Sequence, residues 1–236
     1  MNTNSNYQPK ISVIMSVYND SKRVEDAILS IHEQTYKNYE FLILDDGSTD
    51  DTFDICRNYQ KKYKKIKLFK NINNIGLTKS LNLLAAKADG EYLARQDSDD
   101  VSLPSRLLTQ LTYMKEKNSN VCTTRAIIRD SKRLKPRFAH IIHPSLVIKY
   151  KNPFVHGTLM INKKLFNKIG GYDDQFRYSQ DFKLYQDVIN NDEKIHFLNT
   201  VLYEVNIKDN ISSKYEEQQK YYALCVKKNL APYNYE

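Results

Sequence analysis

The amino-terminal half of this chain alternates short apolar runs with segments of helical spacing, and this alternation constrains the fold most. The apolar runs predict strands at 11–17, 41–44, 66–70 and 91–95. Between them, apolar residues recur at helical spacing, as in Val24, Ala27, Ile28 and Ile31. Strands that alternate with helices form βαβ units with parallel strands and right-handed crossovers. The sequence therefore predicts an α/β fold with a mostly parallel central sheet flanked by helices.

Beyond Pro104 the pattern is less regular. It predicts a helix to Lys117, strands at 121–128 and 156–161, a short helix at 163–169, a helix at 179–190 with Ser179 as its N-cap, strands at 195–198 and 201–205, and a last helix at 213–228. A chain of 236 residues is long enough to bury one large core. We expect a single domain.

Polar residues follow three of the predicted parallel strands directly. Tyr18 follows the first strand, Asp45 and Asp46 follow the second, and the segment 97–100 follows the fourth. Because ligands of parallel sheets bind outside the carboxyl ends of the strands, we expect these groups to converge in space.

The segment Asp97-Ser98-Asp99-Asp100 concentrates three carboxylates at one point. Hard oxygen ligands of this kind suit Mg²⁺ or Mn²⁺, and a diphosphate is the natural partner of such an ion. The alternative is a polar turn whose last aspartate lies at the entry of the helix near Pro104.

The chain carries a net charge of +8, and the whole excess lies in residues 101–236. Between Tyr113 and Lys151 the only acidic residues are Glu116 and Asp130. The basic residues of this stretch are Lys115, Lys117, Arg125, Arg129, Lys132, Arg133, Lys135, Arg137, Lys149 and Lys151. This basic stretch suits peripheral contact with an anionic membrane or an acidic substrate, and a solvated lysine-rich face is the alternative. Nucleic acid is not expected as a partner, because no recognition motif accompanies the charge.

The expected location is the cytoplasm, with peripheral attachment to the inner face of the plasma membrane as an extension. No stretch approaches the roughly 20 apolar residues of a membrane span, and residues 1–6 lack the apolar core of a signal peptide. The three cysteines are widely spaced and suggest neither a disulfide framework nor a thiolate zinc site.

The order of these motifs resembles the GT-A nucleotide-sugar glycosyltransferases of family 2. The resemblance begins with Tyr-Asn after the first strand, Asp-Asp-Gly-Ser after the second, the helix entry Asn-Ile-Gly-Leu and Asp-Ser-Asp-Asp after the fourth. It continues in Pro153 to Thr158, Ile169 to Asp173 and Ser179 to Leu184, so it covers roughly residues 9 to 190.

The resemblance implies roles for individual residues. Tyr18 and Asp46 would lie against the nucleotide base with Asp45 close by, and Lys79 would face the diphosphate. Asp97, Ser98 and Asp99 occupy the family's Asp-x-Asp motif, in which the first carboxylate is near the ribose and the second reaches Mn²⁺ or Mg²⁺. Asp100 would be a further ligand or a helix-entry carboxylate.

The resemblance also implies a catalytic base. Asp181 matches the aspartate of the family's Glu-Asp pair, but Gln180 stands where glutamate is usual. A carboxylate that only neutralises the positive end of a helix is the alternative for Asp181. The implied division places a nucleotide-sugar-binding half at 9–103, an acceptor-side half at 104–212 and a terminal helix and tail at 213–236.

The implied activity is an inverting, metal-dependent transfer of a sugar from a nucleotide diphosphate sugar, UDP-linked in the first instance, to a hydroxyl of a growing or lipid-linked glycan. Bacterial surface polysaccharide synthesis is the implied setting. The alternative is a non-catalytic nucleotide-sugar or glycan-binding module with a weakened base site, which Gln180 favours.

Overall fold

The described part of the chain forms one nine-stranded sheet with helices on both faces. The computed structural model describes residues 7–137, 144–148, 150–207 and 215–233, with backbone alone for 144 and 145. The strands are β1 Ile11–Val17, β2 Tyr39–Asp45, β3 Ile66–Lys70, β4 Tyr92–Arg95, β5 Val101–Ser102, β6 Val121–Ile128, β7 Leu134–Lys135, β8 Met160–Asn162 and β9 Ile195–Val205. The helices are α1 Val24–His32, α2 Thr52–Lys62, α3 Leu77–Lys87, α4 Arg106–Glu116, α5 Pro144–Val147, α6 Lys163–Lys168, α7 Gln180–Asn190 and α8 Glu216–Lys228.

The strands lie in the order β3-β2-β1-β4-β8-β6-β9-β5, and β7 pairs with β6. β1 pairs in parallel with β2 and β4, and β2 with β3. β8 is antiparallel to both β4 and β6, so β6 and its parallel neighbour β9 run in the same direction as β4. The carboxyl-terminal ends of β1, β2, β4, β6 and β9 therefore lie along one side of the sheet, which we call the carboxyl edge. The predicted α/β fold with a mostly parallel sheet is confirmed.

Apolar side chains bury both faces of this sheet. One core cluster joins α1, α2 and α4 to the sheet, for example through Ile28, Cys56 and Leu107. The other joins α3, α6, α7 and α8 to the opposite face, for example through Leu81 and Phe182. Each fully buried Leu or Phe contributes roughly 1.5–3 kcal/mol, so both helix layers stabilise the sheet.

The structure differs from the sequence-based prediction in the second half. The run expected as a strand at 156–161 is a 3-10 turn at His156–Thr158 followed by β8. The two strands expected at 195–198 and 201–205 form the single strand β9, whose register with β6 shifts on either side of Arg125. The exposed Asn199 and Thr200, which resemble a turn in sequence, are accommodated within β9 as a bulge.

Ser179 occupies the N-cap position of α7 but does not cap the helix with its side chain. Its backbone is left-handed, with φ of 53°, and its hydroxyl bonds to Gln219 of α8 instead. The first residues of the last predicted helix, 213 and 214, lie outside the described residues, as do residues 1–6, Lys149 and the end of the tail. Among the described residues, no helix is both long and apolar enough to cross a membrane.

Candidate active site

Hydrogen bonds join the loops that follow β1, β2 and β4 at the carboxyl edge. The Thr49 N–H donates to Asn19 Oδ1 over 2.8 Å, which links the second loop to the first. The Asp20 N–H donates to Thr52 Oγ1 over 2.8 Å, and Ser98 Oγ donates to Asp20 Oδ2 over 2.6 Å. The polar segments that the sequence predicts to converge are therefore in direct contact.

Asp46 holds the loop that leads into α3. Its Oδ1 accepts hydrogen bonds from Asn71 Nδ2 at 2.7 Å and from the Ile75 N–H at 3.0 Å, and its Oδ2 accepts one from the Gly76 N–H at 2.9 Å. Gly76 has φ of +91°, a backbone conformation that residues other than glycine rarely adopt. Asp46 is buried, and its hydrogen bonds fix the loop before α3 at the carboxyl edge.

Tyr18, Asp45 and Lys79 lie in different environments. Tyr18 is 48% exposed and follows β1 at the carboxyl edge, so its ring is open to a planar ligand. Asp45 is fully buried; it accepts a hydrogen bond from the Ser48 N–H at 3.1 Å. Lys79 is exposed on α3 and forms no hydrogen bond or ion pair with the described residues. The structure thus brings Tyr18 and Asp45 to the edge but leaves the Lys79 ammonium group unengaged.

Asp97 and Asp99 form an acidic centre with two arginines beside it. Asp97 Oδ1 lies 2.5 Å from Arg95 Nη2, and Asp99 Oδ2 lies 3.8 Å from Arg23 Nη1. Burial and the neighbouring Asp97 charge raise the pKa of Asp99 to about 6, although Arg23 opposes the shift. Negative charge is therefore crowded at this point.

This centre fits a divalent cation that arrives with a diphosphate. Within the described ranges, no group of three or more His, Cys, Asp or Glu side chains is placed to hold a metal ion. Mg²⁺ and Mn²⁺ are commonly held by one or two carboxylates together with substrate phosphates and water. The side chains of Asp97 and Asp99 are 26% and 19% exposed, so both carboxylates are accessible from the surface.

Asp100 faces inward and plays a different part. It is 4% exposed, and its Oδ1 accepts a hydrogen bond from the Asn206 N–H at 2.7 Å. Burial, with Asp97 and Asp99 adding to it, raises the pKa of Asp100 well above its usual value. The carboxylate is an internal anchor of the turn.

Asp181 lies in the first turn of α7 within electrostatic reach of Asp97. Asn152 Nδ2 donates to its Oδ2 over 2.6 Å, and the Phe182 N–H donates to its Oδ1 over 2.7 Å. Burial raises the pKa of Asp181 to about 6 against these hydrogen bonds, and the Asp97 charge adds to the rise. A carboxylate with a raised pKa beside an acidic centre is typical of a general base. Gln180, the preceding residue, is 7% exposed.

A histidine–tyrosine pair borders the same space. His156 Nε2 lies 2.7 Å from the Tyr172 hydroxyl, and the rings meet edge to face. Burial, followed by the Arg95 charge, lowers the pKa of His156 to about 3. The imidazole is neutral near pH 7 and acts there as a hydrogen-bonding group rather than a cation.

Sequence reasoning missed several of these neighbours. Arg95 ends a buried strand, and a charged residue at such a position is a signal that could have been read. Tyr172 lies within a resembling motif and Asn152 directly precedes one, but neither carries a charge pattern of its own. Tyr203 lies far along the chain, and no local signal connects it with Asp97.

The comparison with protein families supports a single assignment. Residues 12–181 match the family described as glycosyl transferase family 2. The chain is 38% identical over 173 residues to the putative glycosyltransferase EpsE of Bacillus subtilis, covering 71% of this chain and 61% of that relative. It is 34% identical over 187 residues to the O-antigen biosynthesis glycosyltransferase WbnJ of Escherichia coli, covering 76% of this chain and 72% of that relative.

Solved structures share the fold at lower identity. S. aureus TarS 1-349 in complex with UDP-GlcNAc superposes with a TM-score of 0.72 at 20% identity, covering 87% of this chain and 61% of that one. The mannosyltransferase PcManGT from Pyrobaculum calidifontis, in complex with GDP-Man and Mn²⁺, gives a TM-score of 0.76 at 18% identity, covering 92% and 62%. The chain thus spans about three-fifths of EpsE and of both solved chains. On its sequence match and its fold, the chain belongs to glycosyl transferase family 2.

Proposed function

We propose that this protein is an inverting, metal-dependent glycosyltransferase that moves a sugar from a nucleotide diphosphate sugar to a hydroxyl of a growing glycan. One observation carries the proposal. Asp97 of the acidic centre and the Asp181 carboxylate, from opposite halves of the chain, lie within electrostatic reach of each other. This is the arrangement that separates a donor-binding group from a base while keeping both at one reacting centre.

Asp181 is the proposed base. The acceptor hydroxyl gives its proton to Asp181 as its oxygen forms a bond to the anomeric carbon, and the bond from that carbon to the diphosphate breaks. Asn152 and the Phe182 N–H orient the carboxylate, so that the proton is accepted at a fixed place. Inversion follows if the hydroxyl attacks from the side opposite the diphosphate.

Asp97, Ser98 and Asp99 are the proposed donor-binding residues of the carboxyl edge, with Asp99 as the ligand of Mn²⁺ or Mg²⁺. When bound, the cation would stabilise the negative charge that develops on the leaving diphosphate. Tyr18, Asp45 and Asp46 are proposed to line the pocket for the nucleotide base. Lys79 is proposed to approach the diphosphate from α3. UDP is the nucleotide we favour; the UDP-GlcNAc complex of TarS supports it, and the GDP-Man complex of PcManGT makes GDP the first alternative.

The acceptor is proposed to be a glycan or lipid-linked glycan of a surface polysaccharide, and the similarity to WbnJ supports this class. Residues 9–103 would then bind the donor and residues 104–212 the acceptor. The protein would work in the cytoplasm, at the inner face of the membrane.

Calorimetric titration tests the donor site. We expect UDP or a UDP sugar to bind in the presence of Mn²⁺, to bind at least tenfold more weakly with chelator, and to lose the metal dependence in Asp99→Ala. Asp54→Ala, which removes an exposed carboxylate from α2, is the matched control and should bind as the wild type does. If no uridine, guanosine or thymidine nucleotide binds with either metal, the proposed donor site is wrong.

Asp181→Asn distinguishes an enzyme from a binding module. The variant should bind donor like the wild type but transfer sugar about 10²–10⁴ times more slowly, because the base is gone. Normal transfer by the variant would exclude Asp181 as the base. Donor binding by the wild type without transfer or hydrolysis, over a broad set of acceptors, would favour the binding module.

A further inference from the structure

Tyr203 of β9 lies directly beneath the turn that carries Asp97 and Asp99. The residue is fully buried, and its hydroxyl accepts a hydrogen bond from the Asp97 N–H at 3.0 Å. The buried Asp100 carboxyl group lies within electrostatic reach of the same hydroxyl. The Tyr203 hydroxyl therefore serves as an acceptor for the backbone of this turn.

A buried amide holds the other side of the turn. Gln96 Nε2 donates to the carbonyl oxygens of Asp97 at 2.9 Å and of Asp100 at 3.0 Å. Ser102 Oγ donates to Gln96 Oε1 at 2.6 Å, which fixes the orientation of the amide. Tyr203 and Gln96 therefore anchor both ends of the four-residue turn to the core.

A buried guanidinium keeps Tyr203 in place. Arg106 is fully buried, and its guanidinium carbon lies 5.0 Å from the centre of the Tyr203 ring. Its N–H groups donate to neutral oxygens, including the Arg95 carbonyl at 2.7 Å and Ser102 Oγ at 2.8 Å. The positive charge thus faces the Tyr203 ring and lies within electrostatic reach of Asp97.

Gly157 leaves the space that the Tyr203 hydroxyl needs. A Cβ atom at this position would lie 2.2 Å from the Tyr203 Oη atom, closer than real atoms approach. Any larger residue would push the hydroxyl away from Asp97.

We infer that Tyr203 is a positioning residue of the donor site: its hydroxyl holds the Asp97–Asp100 turn in the shape that presents Asp97 and Asp99 to the nucleotide and its cation. The inference rests on the proposed function and adds to it a residue from the far end of the sheet. Tyr203 is fully buried and acts through the turn, and without its hydroxyl the Asp97 N–H loses its hydrogen-bond partner.

The test compares two buried tyrosines. Tyr203→Phe keeps the ring and removes the hydroxyl, whereas Tyr185→Phe removes a hydroxyl that is buried without a hydrogen-bond partner among the described residues. Calorimetry of UDP with Mn²⁺ should show binding at least about tenfold weaker in Tyr203→Phe and within about twofold of the wild type in Tyr185→Phe. Steady-state kinetics should show the loss as a raised donor KM with a smaller change in kcat.

A second variant reaches the same hydroxyl by another route. Gly157→Ala displaces it without removing it and should also weaken nucleotide binding, and urea unfolding of each variant shows whether it is folded. Nucleotide affinity within twofold of the wild type in folded Tyr203→Phe, or in folded Gly157→Ala if the first variant does not fold, would overturn the inference. Failure of the wild type to bind any nucleotide would instead refute the proposed donor site, so the two failures are distinguishable.

Discussion

At the scale of single residues, Asp181 controls the expected pH dependence of transfer. Burial and the Asp97 charge raise its pKa to about 6, so the protonated, inactive form is populated as pH falls through 6. The transfer rate should therefore rise with pH through about 6 and then level off. The profile is measured at saturating Mn²⁺ and donor, because Asp99 also has a pKa of about 6 and a bound cation would keep it ionised.

The control for this profile is another carboxylate of the same helix. Asp187 is paired with Lys183 over 2.7 Å, away from Asp97, so Asp187→Asn should keep the acid limb. Asp181→Asn should lose the limb together with most of the rate. A wild-type rate that is flat between pH 5 and 7 would contradict the assignment of Asp181.

The sequence predicts the residues of the site better than their partners. Tyr18, Asp45, Asp97 and Asp99 are recognisable because each follows a strand in a motif, and the rule for parallel sheets then brings them together. Tyr203 is different: its role depends on the register of β9 and on contacts with residues about a hundred positions away, which no local pattern encodes.

At the scale of elements, Glu40 ties β2 to its neighbours at the end of the sheet opposite the site. Its carboxylate accepts hydrogen bonds from Ser12 Oγ at 2.6 Å and from the Asp89 N–H at 2.7 Å, and it lies 2.7 Å from Lys67 Nζ. Burial alone would raise the pKa of Glu40, but these bonds outweigh burial and lower it to about 2. The Glu40 carboxylate therefore links β2 to β1, to β3 and to the segment before β4.

Glu40→Gln should lower the free energy of unfolding at pH 7 by about 3 kcal/mol, because the pKa is lowered from 4.5 to about 2 and each pKa unit corresponds to roughly 1.4 kcal/mol. Because the folded pKa is depressed, the stabilisation is present above the unfolded value near 4.5 and is lost as pH falls toward 2. Urea unfolding should therefore show the difference at pH 7 and a smaller one at pH 3. Glu33→Gln, at an exposed position, is the control; an equal loss for Glu40→Gln at both pH values would contradict the linkage.

Elements are predictable where their signal is local. The predicted strands at 66–70 and 121–128 agree with β3 and β6, since apolar and β-branched residues dominate both segments. The two-residue strands β5 and β7 were not predicted, because they exist only through pairing: Val101 with Glu204, and Leu134 with Ile127.

At the scale of the whole molecule, the fold divides the basic stretch between two ends of the sheet. Lys115 and Lys117 end the α4 region just before β6 begins, whereas Arg133 and Lys135 follow β6 at the carboxyl edge. Between them in sequence, Arg129 pairs with Asp26 at 2.9 Å. The sequence predicts the excess charge, but only the direction of β6 shows which part lies beside the site.

Two basic side chains of the hairpin after β6 form ion pairs with Glu204 of β9. Lys132 lies 3.8 Å from Glu204 Oε1, and Arg129 lies 4.0 Å from Glu204 Oε2. Arg133 is exposed, Leu134 is 38% exposed, and Lys135 is partly exposed. We define residues 133–135, the last residue of the turn and strand β7, as the basic tip. An apolar residue between two cations is suited to the surface of an anionic membrane.

We predict that the basic tip mediates membrane contact beside the acceptor. Sedimentation with vesicles of anionic and of neutral lipid should show binding to the anionic vesicles alone, weakening as salt rises because the attraction is screened. Each lysine or arginine near an anionic surface contributes about 1 kcal/mol, so the double variant Arg133→Ala, Lys135→Ala should bind about tenfold or more weakly. The double variant Lys115→Ala, Lys117→Ala removes the same charge from the opposite end and should bind like the wild type. Equal losses of binding in both double variants would show that membrane contact depends on net charge alone. If the wild type shows no salt-sensitive binding to vesicles, membrane contact through this tip is excluded.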